Sequence, residues 1–499
     1  MIYATPEPVQ AFQERVGQNM ESIWSKTVKL PAFDYLPGDR SADVAIIGGG
    51  MAGILIAKML KQRGLDVVVL EARTVASGQT CNTTAKITSQ HGLKYDSLIQ
   101  NFGEKLAWQY AQANETAILE YHRMVEEEQI DCGFQECPAY LYSLLENEPL
   151  QREAEAAKRL GIQAVYTEQT ALPFAVKGAV RFDHQAQFHP LAFLSGIIQD
   201  LTIYEHTRVT SVEADRAITD RGTVKADKIV FATHYPFLNQ PGYYFLRMHQ
   251  ERSYVLALKD AVELDGMYIG IDEKEGWSLR NENGLLLFGG GGHRTGENRA
   301  GGQYRALRNK AKELWPQAVE VAHWSAQDCM PLDGVPYIGC FSDPTPNWYV
   351  ATGFQKWGMT SSMTAAMIIA DLIMGVENPY AAVFSPQRFT PSASAQSFLE
   401  EGKHAVRDLS RRVFAPPRGL AEELPAGHGG VVELDGEKVG VYKDEDGEIF
   451  AVSIRCPHLG CQLEWNPDEK SWDCPCHGSR FDYRGNLLDN PAQEGLHHE

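Results

Sequence analysis

Two short loops near the C-terminal end, CPHLGC (residues 456–461) and CPCHGS (residues 474–479), limit what this chain can fold into more than any other feature. Cys456, Cys461, Cys474 and Cys476 fall within 21 residues, with His458 and His477 among them. The other cysteines, Cys81, Cys132, Cys137, Cys329 and Cys340, are scattered, so the nine do not form the framework of a secreted disulfide scaffold. A tight Cys/His cluster points instead to a metal centre. The spacing is C-x-H, fifteen residues, then C-x-x-H. Two Cys and two His also suit tetrahedral zinc, but zinc fingers pair like ligands in sequence. Here each loop mixes one Cys with one His and ends in Gly plus a small or cysteine residue.

In a Rieske [2Fe–2S] centre two thiolates hold one iron and two imidazoles the other, and the neutral imidazoles raise the potential. The pattern assigns Cys456 and Cys474 to one iron, His458 and His477 to the other. Both loops closely resemble Rieske proteins of the cytochrome bc type. That resemblance implies a disulfide between Cys461 and Cys476, tying the loops over the cluster, and a hydrogen bond from the Ser479 hydroxyl to a cluster sulfur. Where many high-potential members carry a tyrosine donor, this chain has Phe481. Donors to the sulfurs stabilise the reduced, more negative cluster, so the expected potential falls towards the middle of the Rieske range.

A second motif lies near the N-terminus. DVAIIGGGMAGILIAKMLKQRGLDVVVLEA (residues 43–72) reads as strand, Gly-rich turn, helix and strand, a βαβ unit of a parallel sheet. Gly48, Gly50 and Gly53 have G-x-G-x-x-G spacing: the first permits the turn, the second lets a pyrophosphate approach, the third lets helix and strand pack. The diphosphate is expected on the helix N-terminus, beside Met51 and Ala52. Glu71, followed by Ala72 and Arg73, ends the second strand and suits a ribose hydroxyl pair.

From about residue 40 to 390 the chain resembles the glycine/D-amino-acid oxidase (DAO) superfamily of FAD enzymes. ASGQTCNTTAKI (residues 76–87) matches the stretch running along the pyrophosphate towards the flavin, which implicates Ser77, Gly78, Thr84, Ala85 and Lys86. VFATHYP (residues 230–236) matches the strand returning to FAD, with Ala232, Thr233 and His234, and Val209 matches a backbone contact to adenine. DGVPYIG (residues 333–339) and ATGFQKWGMTSS (residues 351–362) match the C-terminal flavin motifs, with Gly353, Gly358, Met359 and Thr360. Met359 and Thr360 would open a helix whose N-terminus faces the flavin pyrimidine oxygen. TTAKITSQHGLKYD (residues 83–96) is similar to a narrower bacterial family that fuses such an oxidoreductase to a C-terminal Rieske domain.

The expected fold is therefore an α/β FAD-binding domain of Rossmann-like, glutathione-reductase type with an interleaved antiparallel substrate sheet, plus a small all-β Rieske domain. The expected boundaries are an extension at 1–40 and the oxidoreductase at 41–395. Its FAD-binding segments are about 41–130, 188–240 and 326–395, and its substrate-sheet segments about 131–187 and 241–325. A helix and linker follow at 396–425, then the Rieske domain at 426–499. Helices are expected near 96–130, 188–200 and 393–413, and a Pro/Ala-rich linker at 415–427.

FAD and the [2Fe–2S] cluster are the expected cofactors. No second nucleotide fingerprint is present: FGGGGHRTGEN (residues 288–298) is glycine-rich but has no helix to receive phosphate, and the resemblance assigns it to the substrate sheet. Electrons are thus expected to enter from a small amine or amino-acid-like substrate by hydride transfer to flavin and to leave singly through the cluster to an external, protein or quinone-like acceptor. The alternative is an electron-transfer component that supplies a partner oxygenase or redox protein. An oxygenase within the chain needs a further two-histidine, one-carboxylate iron site, and no convincing set stands outside the cluster. Lys86, Arg252, Tyr254 and Lys356 are the candidate catalytic or substrate-binding residues, with Arg252 and Tyr254 suited to a substrate carboxylate. His91, His234 and His293 fall in neighbouring segments. Cys81 and Cys329 are conceivable covalent flavin anchors, though small buried thiols are the plainer reading.

The net charge of −19 disfavours nucleic acid and anionic lipid. Residues 426–499 carry fifteen Asp/Glu against six Lys/Arg, which suits a basic redox partner or simply a soluble surface. No apolar run approaches the roughly 18 residues of a membrane span. The N-terminus lacks a basic start and an apolar stretch, so a cytoplasmic protein is expected.

Overall fold

The computed structural model describes residues 20–388, 424–434 and 437–498. The expected helix near 393–413 and most of the expected linker lie outside the described residues.

The strand Arg40–Ile47 runs between Val67–Leu70 and Thr223–Phe231, parallel to both. Val67–Leu70 and the C-terminal halves of the other two strands are buried, continuous apolar runs, as in a sheet covered on both faces. Thr202–Tyr204 and Trp348–Thr352 extend the sheet in parallel on either side, and Tyr337–Cys340 closes one edge antiparallel. Helices Met51–Gln62 and Gly358–Ile373 pack together on one face, beside Glu104–Glu127. The helical stretch expected at 96–130 is two helices, Tyr95–Phe102 and Glu104–Glu127, because Gly103 adopts φ +79° between them. Of the expected extension at 1–40, the described part packs on the body: helix Ile23–Thr27 buries Trp24 completely in the main core.

The nine-stranded second sheet has strands in the order Val319–Pro331, Met248–Lys259, Leu285–Arg294, Ser278–Glu282, Met267–Gly270, Gln135–Ser143, Gly178–Gln187 and Lys86–Ile87, with Ala164–Thr167 also on Gly178–Gln187. Side chains alternate between its faces. Val255, Ala257, Leu287 and Trp324 face the main core. Tyr254, Leu256 and Phe288 face away, under helix Gln303–Leu314. Two segment limits differ from expectation. Val319–Pro331 stays in this sheet past residue 325, because it pairs with Met248–Lys259 along its whole length. Lys86 and Ile87 form its far edge by pairing with Gln187 and Ala186.

The C-terminal part is all-β, with one sheet of His428–Leu434, Glu437–Lys443 and Ile449–Ser453 and another of Glu464–Asn466, Ser471–Asp473, Arg480–Asp482 and Leu487–Asp489. Leu463, Trp472 and Phe481 fill its core. The expected fold class is the one observed. Among the described residues no helix is long and apolar enough to cross a membrane.

Candidate functional site: a flavin cleft beside a cluster site

A cleft opens at the C-terminal ends of the parallel strands. A Cβ on Gly48 (φ +108°) would lie 2.5 Å from the Ala232 carbonyl oxygen, so only glycine lets the two strand ends meet. A Cβ on Gly53 would lie 2.0 Å from the Gly48 carbonyl oxygen, so the third glycine sets the helix–strand approach and does not line the cleft. Gly50 caps helix Met51–Gln62 without a side chain of its own; the Met51 N–H donates to Thr80 Oγ1 at 3.0 Å, which leaves the following N–H groups of the first turn for an anion. Glu71 closes the far side, accepting hydrogen bonds from the Gly49 and Arg73 N–H groups, each at 2.8 Å.

Gly48, Gly50, Met51, Ala52, Glu71, Ala72, Arg73, Ser77, Gly78, Val209, Ala232, Thr233, His234, Lys356, Gly358 and Met359 line this cleft. Thr84, Ala85, Lys86, Gly353 and Thr360 stand behind it. Gly353 (φ +75°) packs under Pro331, and Thr360 Oγ1 accepts from the Thr88 N–H at 2.8 Å and donates to the Thr88 carbonyl at 2.9 Å. Residues 82–85 are suspended from distant side chains: the Trp24 indole N–H donates to the Thr83 carbonyl (2.7 Å), Trp324 to Asn82 (2.9 Å), and Arg280 to Thr84 (3.0 Å) and Ala85 (2.7 Å). No local pattern marks these anchors, because they are residues of other elements.

FAD fits this cleft by two observations besides the motif: the helix N-terminus that opens on it at Met51 and Ala52, and His234 Nε2, a buried cleft-side nitrogen with no hydrogen-bond partner. Burial pushes the His234 imidazole down to about 4, so it is neutral. Cys81 and Cys329 lie off the cleft wall; their thiols donate to the Gly78 and His234 carbonyls, and burial raises both pKa values.

The cluster loops are built locally. The first follows strand Ile449–Ser453; the second joins Ser471–Asp473 to Arg480–Asp482. Gly460 (φ +75°) and Gly478 (φ +83°) turn each chain back, and their N–H groups donate to the Cys456 and Cys474 carbonyls. Cys456 and Cys474 are buried and unbridged. The His458 and His477 rings, from the same two loops, lie 4.9 Å apart and perpendicular. Cys461 and Cys476 form the expected disulfide. The Cys474 sulfur lies within 4.8 Å of both bridged sulfurs, but these are committed to each other, which leaves Cys456, Cys474 and the two histidines as the donor set. His458 Nε2 is bonded to Asn239 Oδ1 at 2.7 Å while its Nδ1 is buried and partnerless. That is the arrangement of a metal-ligating imidazole oriented through its second nitrogen. A [2Fe–2S] cluster fits these donors. Ser479 is fully buried and accepts from the Ala492 N–H, with the Cys456 thiol beside it.

The two sites touch. Leu487, Leu488, Asp489, Asn490 and Gln493 of the C-terminal domain form part of the cleft wall. Asn490 donates to the Thr233 and Tyr235 carbonyls, at 3.1 and 2.6 Å. The glycine-rich segment after Phe288 receives the cluster domain: a Cβ on Gly296 (φ +81°) would lie 2.6 Å from the Pro475 nitrogen, and one on Gly301 (φ +62°) 2.6 Å from Pro467. Asp468 accepts from the Gly302 and Gln303 N–H groups and from Asn298. Gly296 and Gly301 were therefore legible as glycines, but not as a docking surface.

The candidate catalytic residues separate onto the two faces of the second sheet. Lys86 points to the core face, where Nζ bonds Ser278 Oγ and the Tyr268 carbonyl; burial, with Arg280 nearby, lowers it to about 7. Lys356 reaches the cleft and lies 3.1 Å from Glu251 and 3.5 Å from Asp328. These carboxylates outweigh its burial and raise its pKa. Arg252 and Tyr254 point to the opposite face. Arg252 pairs there with Glu469 of the cluster domain, and Tyr254 bonds His293 Nε2 at 2.9 Å. Their expected role as a carboxylate clamp at the flavin does not match this placement, because strand alternation turns 252 and 254 away from the face that carries 251. His91 is held between Tyr110 and the Thr88 carbonyl and stacks on Trp357; it is also off the cleft wall.

Comparison with known proteins agrees with this geometry. Residues 43–372 match the family model described as FAD dependent oxidoreductase (DAO), and residues 417–498 match the Rieske [2Fe-2S] domain. The chain is 38% identical over 492 residues to the Rieske 2Fe-2S iron-sulfur protein YhfW of Bacillus subtilis (strain 168), covering 95% of this chain and 97% of that one. Its fold is similar to glycine oxidase from Geobacillus kaustophilus, at TM-score 0.59 and 21% identity over 70% of this chain and 99% of that one. It is similar also to L-proline dehydrogenase from P. horikoshii, at TM-score 0.58 and 18% identity over 71% of this chain and 98% of that one. The chain belongs to the DAO family of FAD-dependent oxidoreductases and carries a C-terminal Rieske [2Fe–2S] domain.

Proposed function

We propose that the protein oxidises a small amine or amino-acid-like substrate and passes the electrons singly through its Rieske cluster to an external acceptor. FAD supplies two-electron hydride acceptance, and the cluster supplies one-electron exchange. The observation that carries the reading is the shared wall: residues 487–490 of the cluster domain line the flavin cleft itself. A carrier that served an unrelated partner would have no need of that contact.

The chain's own residues divide the work. Helix Met51–Gln62, Gly50 and Glu71 bind the dinucleotide. Lys86, lowered to about 7 on the core face three residues beyond the cleft-lining Thr83, is the group able to take a proton at Nζ near neutral pH. Lys356, held charged by Glu251 and Asp328, keeps a fixed positive charge at the cleft. Arg252 and Tyr254 serve domain docking. The glycine oxidase and L-proline dehydrogenase of like fold support an organic C–N substrate for this domain.

Anaerobic mixing of the loaded protein with candidate amines tests the reading. Flavin bleaching followed by loss of cluster absorbance is expected. Reduction achieved only by a protein donor or NAD(P)H would overturn it in favour of an electron-transfer component.

A further inference from the structure

The second ligand loop meets the flavin domain at Gly296 and Arg294 and, next to His477, at two glutamines. Gln250 Nε2 donates to the carbonyl of His477, itself a cluster-ligand position, at 2.7 Å and to the Asn490 carbonyl at 3.1 Å. Gln327 Nε2 donates to the Gly478 carbonyl at 2.8 Å and to Gln250 Oε1 at 2.6 Å. Gln327 also lines the flavin cleft, and its backbone N–H donates to Gln79 Oε1, another cleft residue, at 2.7 Å. Both side chains are buried, at 1% and 0% exposure. A Cβ on Gly478 would lie 2.6 Å from Gln250 Cβ, so the loop backbone is pressed directly onto this side chain.

We propose that Gln250 and Gln327 form the bridge through which electrons pass between flavin and cluster, fixing the His477–Gly478 backbone against the cleft wall. The proposal deepens the function proposed above and rests on it. Three features argue for it. The path from His477 to the cleft consists of hydrogen bonds and two side chains, Gln250 and Gln327. Each amide donates to a loop carbonyl, and no water is needed to complete the path. Other flavin-domain side chains also reach the ligand loops, Arg294 at the Pro475 and Cys476 carbonyls (3.1 and 3.3 Å) and Asn239 at His458 (2.7 Å), but of these side chains only Gln327 also lines the flavin cleft. The docking pairs Arg252 with Glu469 and Arg299 with Glu464 end at neither ligand loop. An amide suits this place better than a carboxylate, because the loop offers carbonyl acceptors that need an N–H donor. Each transfer moves one electron: the flavin is oxidised by one equivalent and a ferric iron of the cluster becomes ferrous.

Gln250→Leu and Gln327→Leu keep roughly the side-chain size and remove the donors. Both variants, wild type and Arg299→Ala as a docking control are loaded with FAD and cluster, the flavin is photoreduced anaerobically, and cluster bleaching is timed. The equilibrium potentials of both centres and the paramagnetic spectrum of the reduced cluster are measured alongside. The expected result is roughly tenfold or greater slowing of cluster reduction in each glutamine variant, as a small misplacement of reacting partners would give, with both potentials unchanged and Arg299→Ala near wild type. Rates that stay at the wild-type value in both glutamine variants overturn this proposal alone. Slowing matched by shifted potentials also overturns it, since driving force would then account for the change. Absence of flavin-to-cluster transfer in loaded wild type overturns the proposed function together with it.

Discussion

The flavin cleft and the cluster site are built in opposite ways. All four expected cluster donors come from two loops within residues 456–477 of one small β domain. The flavin cleft draws on residues from Ile47 to Gln493, and its loop hangs from Trp24, Arg280 and Trp324. Four ligands can be supplied by two turns, because each turn needs only a glycine and a few backbone hydrogen bonds. A dinucleotide is longer than any single element, so its wall is assembled from strand ends brought together by the parallel sheet. The local site should therefore fail all at once when a ligand is lost, whereas the dispersed site should lose affinity in small steps.

The largest expected effect tests that contrast directly. Cys456→Ser removes one of two thiolates and should abolish the cluster's visible absorbance and paramagnetic signal while FAD remains bound. Loss of flavin in the same preparation would mean that the shared wall at 487–490 makes the two sites one folding unit.

The boundary between the regions comes next. Arg252 and Glu469 are both buried, with 2% and 5% of their side chains exposed, and Arg480 lies 3.0 Å from Glu469. Removing Arg252 leaves a buried carboxylate with one cation fewer, so Arg252→Ala should cost about 3–5 kcal/mol in thermal or urea unfolding. Arg299, at 34% exposure beside Glu464, is a rim contact, and Arg299→Ala should cost below about 1 kcal/mol. Equal costs would contradict the burial argument.

Lys86 gives a pH signature inside the flavin region. Its pKa is about 7 in the folded chain and that of a free lysine when unfolded. Between those values the unfolded state binds more protons, so stability contributed at this site rises with pH across the window and the burial penalty is fully present below it. Lys86→Met should raise stability most at pH 6.5 and less at pH 9.5, by urea unfolding, and a parallel shift at both would show that Lys86 is charged throughout. These two test pH values are set roughly half a unit outside the low end and about a unit inside the high end of the window.

The smallest effect probes the dispersed wall. Trp24→Phe keeps most of the buried ring and removes the hydrogen bond to Thr83, worth about 1 kcal/mol, so FAD should bind the apoprotein about fivefold more weakly. Complete loss of binding would show that the loop depends on one anchor rather than several.

Much of both sites is legible in the sequence. The Cys/His spacing identified the cluster donors as expectations that the geometry fits, and the G-x-G-x-x-G turn with Glu71 marked one end of the cleft, since both are short patterns dictated by backbone geometry and donor chemistry. Arg252 and Tyr254 were harder: their residue types suit a carboxylate, but which face of a strand they occupy depends on register, and a shift of one residue exchanges the faces. The glycine-rich segment 288–298 was legible only as part of the substrate sheet; that Gly296 receives Pro475 depends on the other domain.

The sequence by itself determined the two cofactor-binding architectures, because turn glycines, ligand spacing and the strand–turn–helix order act over a few residues. Only the tertiary structure decided how the two are joined. The docking of Glu469 on Arg252, of Pro475 on Gly296 and of the His477–Gly478 backbone on Gln250 and Gln327 links residues more than 150 positions apart. Such contacts leave no periodicity to read, since they are selected by burial and hydrogen-bond satisfaction across a domain interface rather than by the local chain.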